Sequence, residues 1–195
     1  MRISINKGYV PGCIGRVSEL HALYYSKLVG FGLPFEAKVA RELAEFCSRY
    51  DDQRDGLWLA AMDGIIHGSL AIDGLHAENE GAHLRWFITS DEIRGKGIGE
   101  SLLGSAMDFC RKKSYQSIYL WTFSGLDAAR HIYEKFGFEL VKQQRGSTWG
   151  VEVDEQRFEF RNKIMKNCLN DMDIHNDQSS SPGTIVSIIV AGPQM

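Results

Sequence analysis

Arg94-Gly95-Lys96-Gly97-Ile98-Gly99 is the stretch of this chain best equipped for chemistry. It follows Leu84–Thr89, an apolar run that reads as a strand, and precedes Glu100–Met107, which reads as a helix. Glycines at 95, 97 and 99 let the backbone approach a ligand closely and leave N–H groups unpaired at the helix start. Those amides and the positive end of the helix dipole make an anion site, and a phosphate or pyrophosphate is the expected anion. Lys96 either adds charge there or is simply a solvated loop lysine. Spacing narrows the ligand. A Walker A loop needs Ser or Thr after its lysine, and Ile98 follows Gly97 here. A dinucleotide fingerprint needs Gly-x-Gly-x-x-Gly early in a βαβ unit, whereas these glycines have the wrong step and lie mid-chain. A glycine-softened turn with no ligand also suits these residues.

A second segment, Ala128-Ala129-Arg130-His131-Ile132-Tyr133-Glu134-Lys135-Phe136-Gly137-Phe138, follows another strand-like run, Ser117–Thr122. In order, the two segments resemble the GNAT superfamily of N-acetyltransferases. There an Arg/Gln-x-x-Gly-x-Gly/Ala loop opens the third helix and a Tyr-x-x-x-Gly-Phe ending closes the fourth. The resemblance covers roughly residues 3–163. Tyr9–Gly12 and Glu19–Tyr25 are similar to GNAT modules found behind MarR-type winged-helix regulators, although a first strand, and no winged helix, opens this sequence.

The resemblance implies acetyl transfer from acetyl-CoA to an amine by direct attack, without an acyl-enzyme. The thioester carbonyl must be polarised, the amine must attack uncharged, and the departing thiolate gains from a nearby acid. Phe87, Ile88 and Thr89 would pair with the pantetheine amides like an added strand. Arg94, Gly95, Lys96, Gly97, Ile98, Gly99 and Glu100 would hold the pyrophosphate, with orientation of the loop as the alternative role of Arg94. A splay between this strand and Ser117–Thr122 would admit the pantetheine arm. Tyr133 is the implied general acid: a phenol with a pKa of ~10 stays protonated and can donate. By spacing alone it equally suits a core stripe with Ala129, Ile132 and Phe136.

The base is less defined. Where many members carry a strand glutamate, this strand offers His83 and Arg85, with Glu78, Glu80, Asp91 and Glu92 nearby. His83 titrates near neutrality and suits the role; a structural histidine, or a water chain to a remote carboxylate, are the alternatives. His21, Tyr24 and Tyr25 are candidates for the acceptor side, as are Trp149 and the loop 144–150. Leu126 stands where the family often has an asparagine, which removes one polar contact to the coenzyme. A non-catalytic coenzyme A-binding sensor is the alternative function.

Composition is that of an ordinary globular chain: 195 residues, 44% hydrophobic, 24% charged and a net charge of −3. That charge argues against nucleic acid as a partner. The four cysteines, Cys13, Cys47, Cys110 and Cys168, form no close pair in sequence and read as reduced thiols rather than a disulfide frame or metal site. No metal is expected. An apolar run of membrane-spanning length is absent, so no membrane partner and a cytoplasmic location are expected. The expected partner is a small-molecule or peptide amine; a homodimer is compatible with the sequence.

The elements that position these residues follow from periodicity. Ile3 and Ile5 alternate as a first strand. Val17, Leu20, Tyr24, Leu28 and Phe31 form a helical stripe, and Pro34 opens a second helix carrying Phe35, Val39, Leu43 and Phe46. Leu57–Met62 and Ile65–Ile72 form a hairpin across Asp63-Gly64. Strand 82–89 leads to a third helix, strand 117–122 to a fourth, capped by Ser124 with Asp127 and ended by Gly137. Phe138–Lys142 and Gln156–Arg161 complete the order. The fold class expected is mixed α/β: a twisted, mostly antiparallel sheet of about seven strands with four helices on its faces. A domain is expected over 3–163, with 164–195 a polar tail ending in an apolar segment.

Overall fold

Asp63 and Gly64 both adopt positive φ, 52° and 83°, and so close the tight turn between β2 (Gly56–Met62) and β3 (Ile65–Asp73). The structure, a computed structural model, describes residues 2–162; the expected tail at 164–195 lies outside them. The remaining elements are β1 (Ile3–Lys7), α1 (Cys13–Val29), α2 (Leu33–Ser48), β4 (Ala82–Thr89), a 3-10 turn at Asp91–Ile93, α3 (Ile98–Lys112), β5 (Ser117–Phe123), α4 (Asp127–Lys135), β6 (Glu139–Gly146) and β7 (Val153–Arg161). The strands form a seven-stranded sheet in the order β1-β2-β3-β4-β5-β7-β6. Every neighbouring pair is antiparallel except β4 and β5.

Each face of the sheet buries one helix pair. On one side Leu102, Leu103, Ala106 and Met107 of α3 and Tyr133 of α4 pack on Leu70, Ile72, Leu84, Ile118, Leu120 and Phe158. On the other, Val17 of α1 and Phe35, Val39, Leu43 and Phe46 of α2 pack on Leu57, Leu59, Ala71, Trp86 and Phe123. Burying one such side chain contributes about 1.5–3 kcal/mol. The expected helical stripes therefore decide which face each helix covers. No described helix is long and apolar enough to cross a membrane.

Three local expectations differ. Leu28 of the α1 stripe points outward, 46% exposed, because the helix turns its buried face through Val17, Leu20 and His21 and leaves Phe31 to fill the link to α2. No Ser124–Asp127 capping box forms: Leu126 is the N-cap of α4 without a side-chain cap, and the Ser124 amide donates to the Asp154 carbonyl at 2.9 Å. β6 runs on to Gly146, so the loop expected from 144 starts later; buried Glu155 accepts from the Thr148 amide at 2.9 Å and from Gln144 at 3.3 Å and holds the turn together.

Candidate active site

The parallel pairing of β4 with β5 is short. It joins Ala82 to Ile118 and His83 to Tyr119, and the strands part beyond that point. A bulge in β4 accompanies the parting. Ser69 pairs with Ile88 and Ala71 with Arg85, so Trp86 and Phe87 together face Leu70. Trp86 takes φ 47°, a conformation that costs an L-residue about 1–2 kcal/mol. Its surroundings hold it there. The buried Ser69 hydroxyl donates to the Trp86 carbonyl at 2.6 Å, the Arg85 guanidinium lies 4.2 Å from the indole centroid, and Phe46 packs at 5.3 Å. One edge of β4, from Leu84 through Phe87, Ile88 and Thr89, is thereby left without a β5 partner. It is the edge expected to pair with pantetheine.

The glycine loop stands at the end of this opening. Gly95 and Gly97 adopt φ 71° and 73°, and a Cβ at either would meet only open space. From Gly95 through Lys96, Gly97, Ile98 and Gly99 to Glu100, no amide donates to the backbone of a described residue, and α3 has no side-chain cap. The first intrahelical bond is that of Ser101 to the Gly97 carbonyl, 3.0 Å. A fan of unpaired donors at the positive end of a helix is an anion site by construction. The side chains brace the loop rather than cover it. Arg94 pairs with Asp91, donates to the Thr89 carbonyl at 3.0 Å and lies 4.7 Å over the Tyr24 ring. Lys96 donates to the Glu92 carbonyl at 2.7 Å, and Glu100 pairs with Lys135 of α4 at 2.7 Å. Both expected cations thus shape the loop, and the open donors are its amides.

Tyr133 projects from α4 into the sheet beside the opening. It is buried, and its ring lies 5.9 Å from those of Phe87 and Phe158 and 6.1 Å from that of Phe138. Burial, reinforced by the Tyr25 phenol, pushes its pKa above the usual tyrosine value. The hydroxyl therefore keeps its proton. Gly99 packs beneath: a Cβ there would stand 3.3 Å from Ile132 and 3.4 Å from Phe87.

His83 occupies the opposite face. Ala82 and Leu84 enter the α3–α4 core, while Arg85 reaches Glu42 of α2. The His83 ring stacks on Tyr119 at 4.4 Å and 13°, and the Arg157 guanidinium lies 4.3 Å from the centroid of the same tyrosine. Burial above all, then the cations of Arg85 and Arg157, hold this imidazole neutral, well below the ordinary histidine value. Candidate acid and candidate base thus flank the opening from opposite sides of the sheet.

The three α1 candidates separate. His21 is buried, its Nδ1 bonded to the Val17 carbonyl at 2.8 Å, and burial lowers its pKa to about 4. It is occupied within its own helix. Tyr24 meets Arg94 of the coenzyme loop. Tyr25 joins an aromatic cluster, 5.4 Å from Phe35, 5.6 Å from Phe123 and 6.0 Å from Phe31; Trp149 closes that cluster at 5.8 Å from Phe123. Burial raises the Tyr25 phenol, and Arg94 partly offsets the rise. Ser69, Trp86, Tyr119 and Arg157 went unnoticed in the sequence, where nothing marks a tryptophan for positive φ or brings β3, β5 and β7 together.

Comparison with known proteins bears on the family and the fold. The model of the acetyltransferase (GNAT) family matches residues 17–138. The chain is 28% identical over 113 residues to the uncharacterized N-acetyltransferase YjgM of Escherichia coli, spanning 57% of this chain and 68% of that protein. It is 26% identical over 130 residues to the uncharacterized N-acetyltransferase MJ1207 of Methanocaldococcus jannaschii, spanning 64% of this chain and 57% of that one. Among solved structures, a GNAT-family acetyltransferase of Staphylococcus aureus superposes with a TM-score of 0.65 at 21% identity, over 82% of this chain and 99% of that one. Salmonella typhimurium yncA, solved with its cofactor acetyl-CoA, superposes with a TM-score of 0.64 at 14% identity, over 95% and 100%. These likenesses show the fold, and the family match spans most of the sheet and the glycine loop: the chain belongs to the GNAT family of acetyltransferases.

Proposed function

We propose that this chain moves the acetyl group of acetyl-CoA to a primary amine of a small molecule or peptide, by direct attack. The observation that carries the reading is the uninterrupted run of unpaired amides from Gly95 to Glu100 beside the open edge of β4. The amides receive the pyrophosphate, and the β4 edge at Phe87–Thr89 receives the pantetheine. Tyr133, protonated by virtue of its burial, donates to the departing thiolate from the α3–α4 side. The amine approaches from the α1–α2 side, past Tyr24 and Tyr25. His83 faces that side, but the burial and the Arg85 and Arg157 cations that hold it neutral also oppose its protonation, so it does not titrate near neutrality as expected, and the proton that the amine loses passes to water instead.

The test is thiol release from acetyl-CoA across a panel of primary amines, with Tyr133→Phe beside the wild type. Amine-dependent thiol release that falls in the variant supports the reading. Saturable acetyl-CoA binding with no amine ever acetylated would leave a coenzyme-binding sensor instead.

A further inference from the structure

α1 and α2 form a hairpin whose short link, Gly30–Gly32, joins helices of 17 and 16 residues. Nearly equal lengths bring the first turn of α1 beside the last turn of α2. Cys13 opens α1, and Cys47 stands one residue before the end of α2. They lie in one apolar cluster, Cys13 buried and Cys47 partly exposed, with each thiol close enough to perturb the other's ionisation. We propose that Cys13 and Cys47 are a dithiol that hydrogen peroxide closes to a disulfide across the open end of the hairpin.

The local chemistry assigns the roles. Cys13 sits at a helix N-terminus with no side-chain cap, where the dipole favours a thiolate. The Cys47 S–H and nearby backbone groups of Val10 and Ile14 lower its pKa against the opposing effect of burial. Cys13 is therefore the nucleophile. Its thiolate attacks one peroxide oxygen, the O–O bond breaks, and hydroxide leaves and takes up a proton as water; Cys13 becomes a sulfenic acid. The Cys47 sulfur then attacks the Cys13 sulfur, forming S–S and releasing a second water. Two thiols are oxidised by two electrons and one peroxide is reduced to two waters. Peroxide is close to water in size, and the partly exposed Cys47 side is its entry. Cys110, buried in the other core with its thiol pushed up to about 12, is the internal control.

The full chain is treated with hydrogen peroxide, unfolded in alkylating reagent and digested with trypsin. Tryptic peptides 8–16 and 42–49 carry the two cysteines. The expected result is one cross-linked species of these peptides, about 2 Da lighter than their sum, cleaved by dithiothreitol, with Cys110 fully alkylated. Closing this loop should also raise the melting temperature by roughly 5 °C. Cys110→Ser keeps the cross-link and Cys13→Ser abolishes it. Full alkylation of Cys13 and Cys47 after peroxide, or oxidation of either to sulfinic acid without the cross-link, overturns the proposal. Because the mapping uses wild-type protein, poor folding of a variant does not spare it.

Discussion

Gly97→Ala separates the two things this glycine does. At φ 73° an alanine carries about 1–2 kcal/mol of backbone strain, yet its methyl meets no protein atom within 4 Å. It would instead enter the space in front of the unpaired amides, where the pyrophosphate is placed. Gly30→Ala is the matched control, for Gly30 also has φ 73° with nothing within 4 Å, but it closes α1 far along the chain from the loop. Both variants should lose similar stability, a fall of roughly 2–8 °C in melting temperature. Only Gly97→Ala should weaken acetyl-CoA. Displacing one charge-assisted amide–phosphate bond forfeits about 1.5–3 kcal/mol, or roughly 10- to 150-fold in Kd. At a concentration 100 times the wild-type Kd, the coenzyme should stabilise wild type and Gly30→Ala by about 2.7 kcal/mol and Gly97→Ala by about 1.4 kcal/mol or less. Thermal unfolding over a coenzyme titration reads both quantities at once. If Gly97→Ala and Gly30→Ala give superimposable titrations, the loop amides do not hold the coenzyme and the site reasoning fails.

Tyr133→Phe should lower kcat by roughly 100-fold or more with an unchanged acetyl-CoA Kd, measured by thiol release and calorimetry; equal kcat removes the acid role. Ser69→Ala strands the buried Trp86 carbonyl and should cost about 1–3 kcal/mol in urea unfolding, with a loss below 0.5 kcal/mol showing the bulge to be held by packing alone. His21 makes stability pH-dependent. Its folded pKa of about 4 lies below the ordinary 6.5, so as pH falls below about 6.5 the unfolded chain binds a proton that the folded one refuses. Stability is intact above that value and falls by up to about 3 kcal/mol towards pH 4. His21→Asn, which can keep the bond to the Val17 carbonyl, should flatten this slope between urea midpoints at pH 7 and 4.5; an unchanged slope assigns the effect elsewhere.

Much of the architecture is legible in the sequence because it follows local rules. Strand 82–89 has its observed bounds, the Asp63-Gly64 turn has the positive φ it requires, and Gly137 ends α4 at φ 86°. The glycine loop is legible for the same reason: its function lies in its own backbone. What long-range packing decides is not legible. Leu28 satisfies the helical stripe yet faces outward, while Phe31, beyond the end of α1, is buried. Asp127 suits a cap by residue type, but the Ser124 amide is drawn to β7. His83 could be judged as a titrating residue from its type alone. Its stacking on Tyr119 and its repulsion by Arg157 need three strands in register.

The kink at Trp86 makes the length of β4 as consequential as its composition. An extra residue in the strand advances the alternation of side chains by one, which is why Arg85 looks towards α2 while Phe87 reaches Tyr133. Excising Trp86 would let β4 zip onto β3 without interruption and draw its far end back towards β5. Such a shortened chain should retain its circular-dichroism spectrum yet show no melting shift with acetyl-CoA; a retained shift would mean that the crevice does not depend on the kink. Point substitutions are thus the milder insult to this strand, and insertions or deletions between Leu84 and Ile88 the severe one.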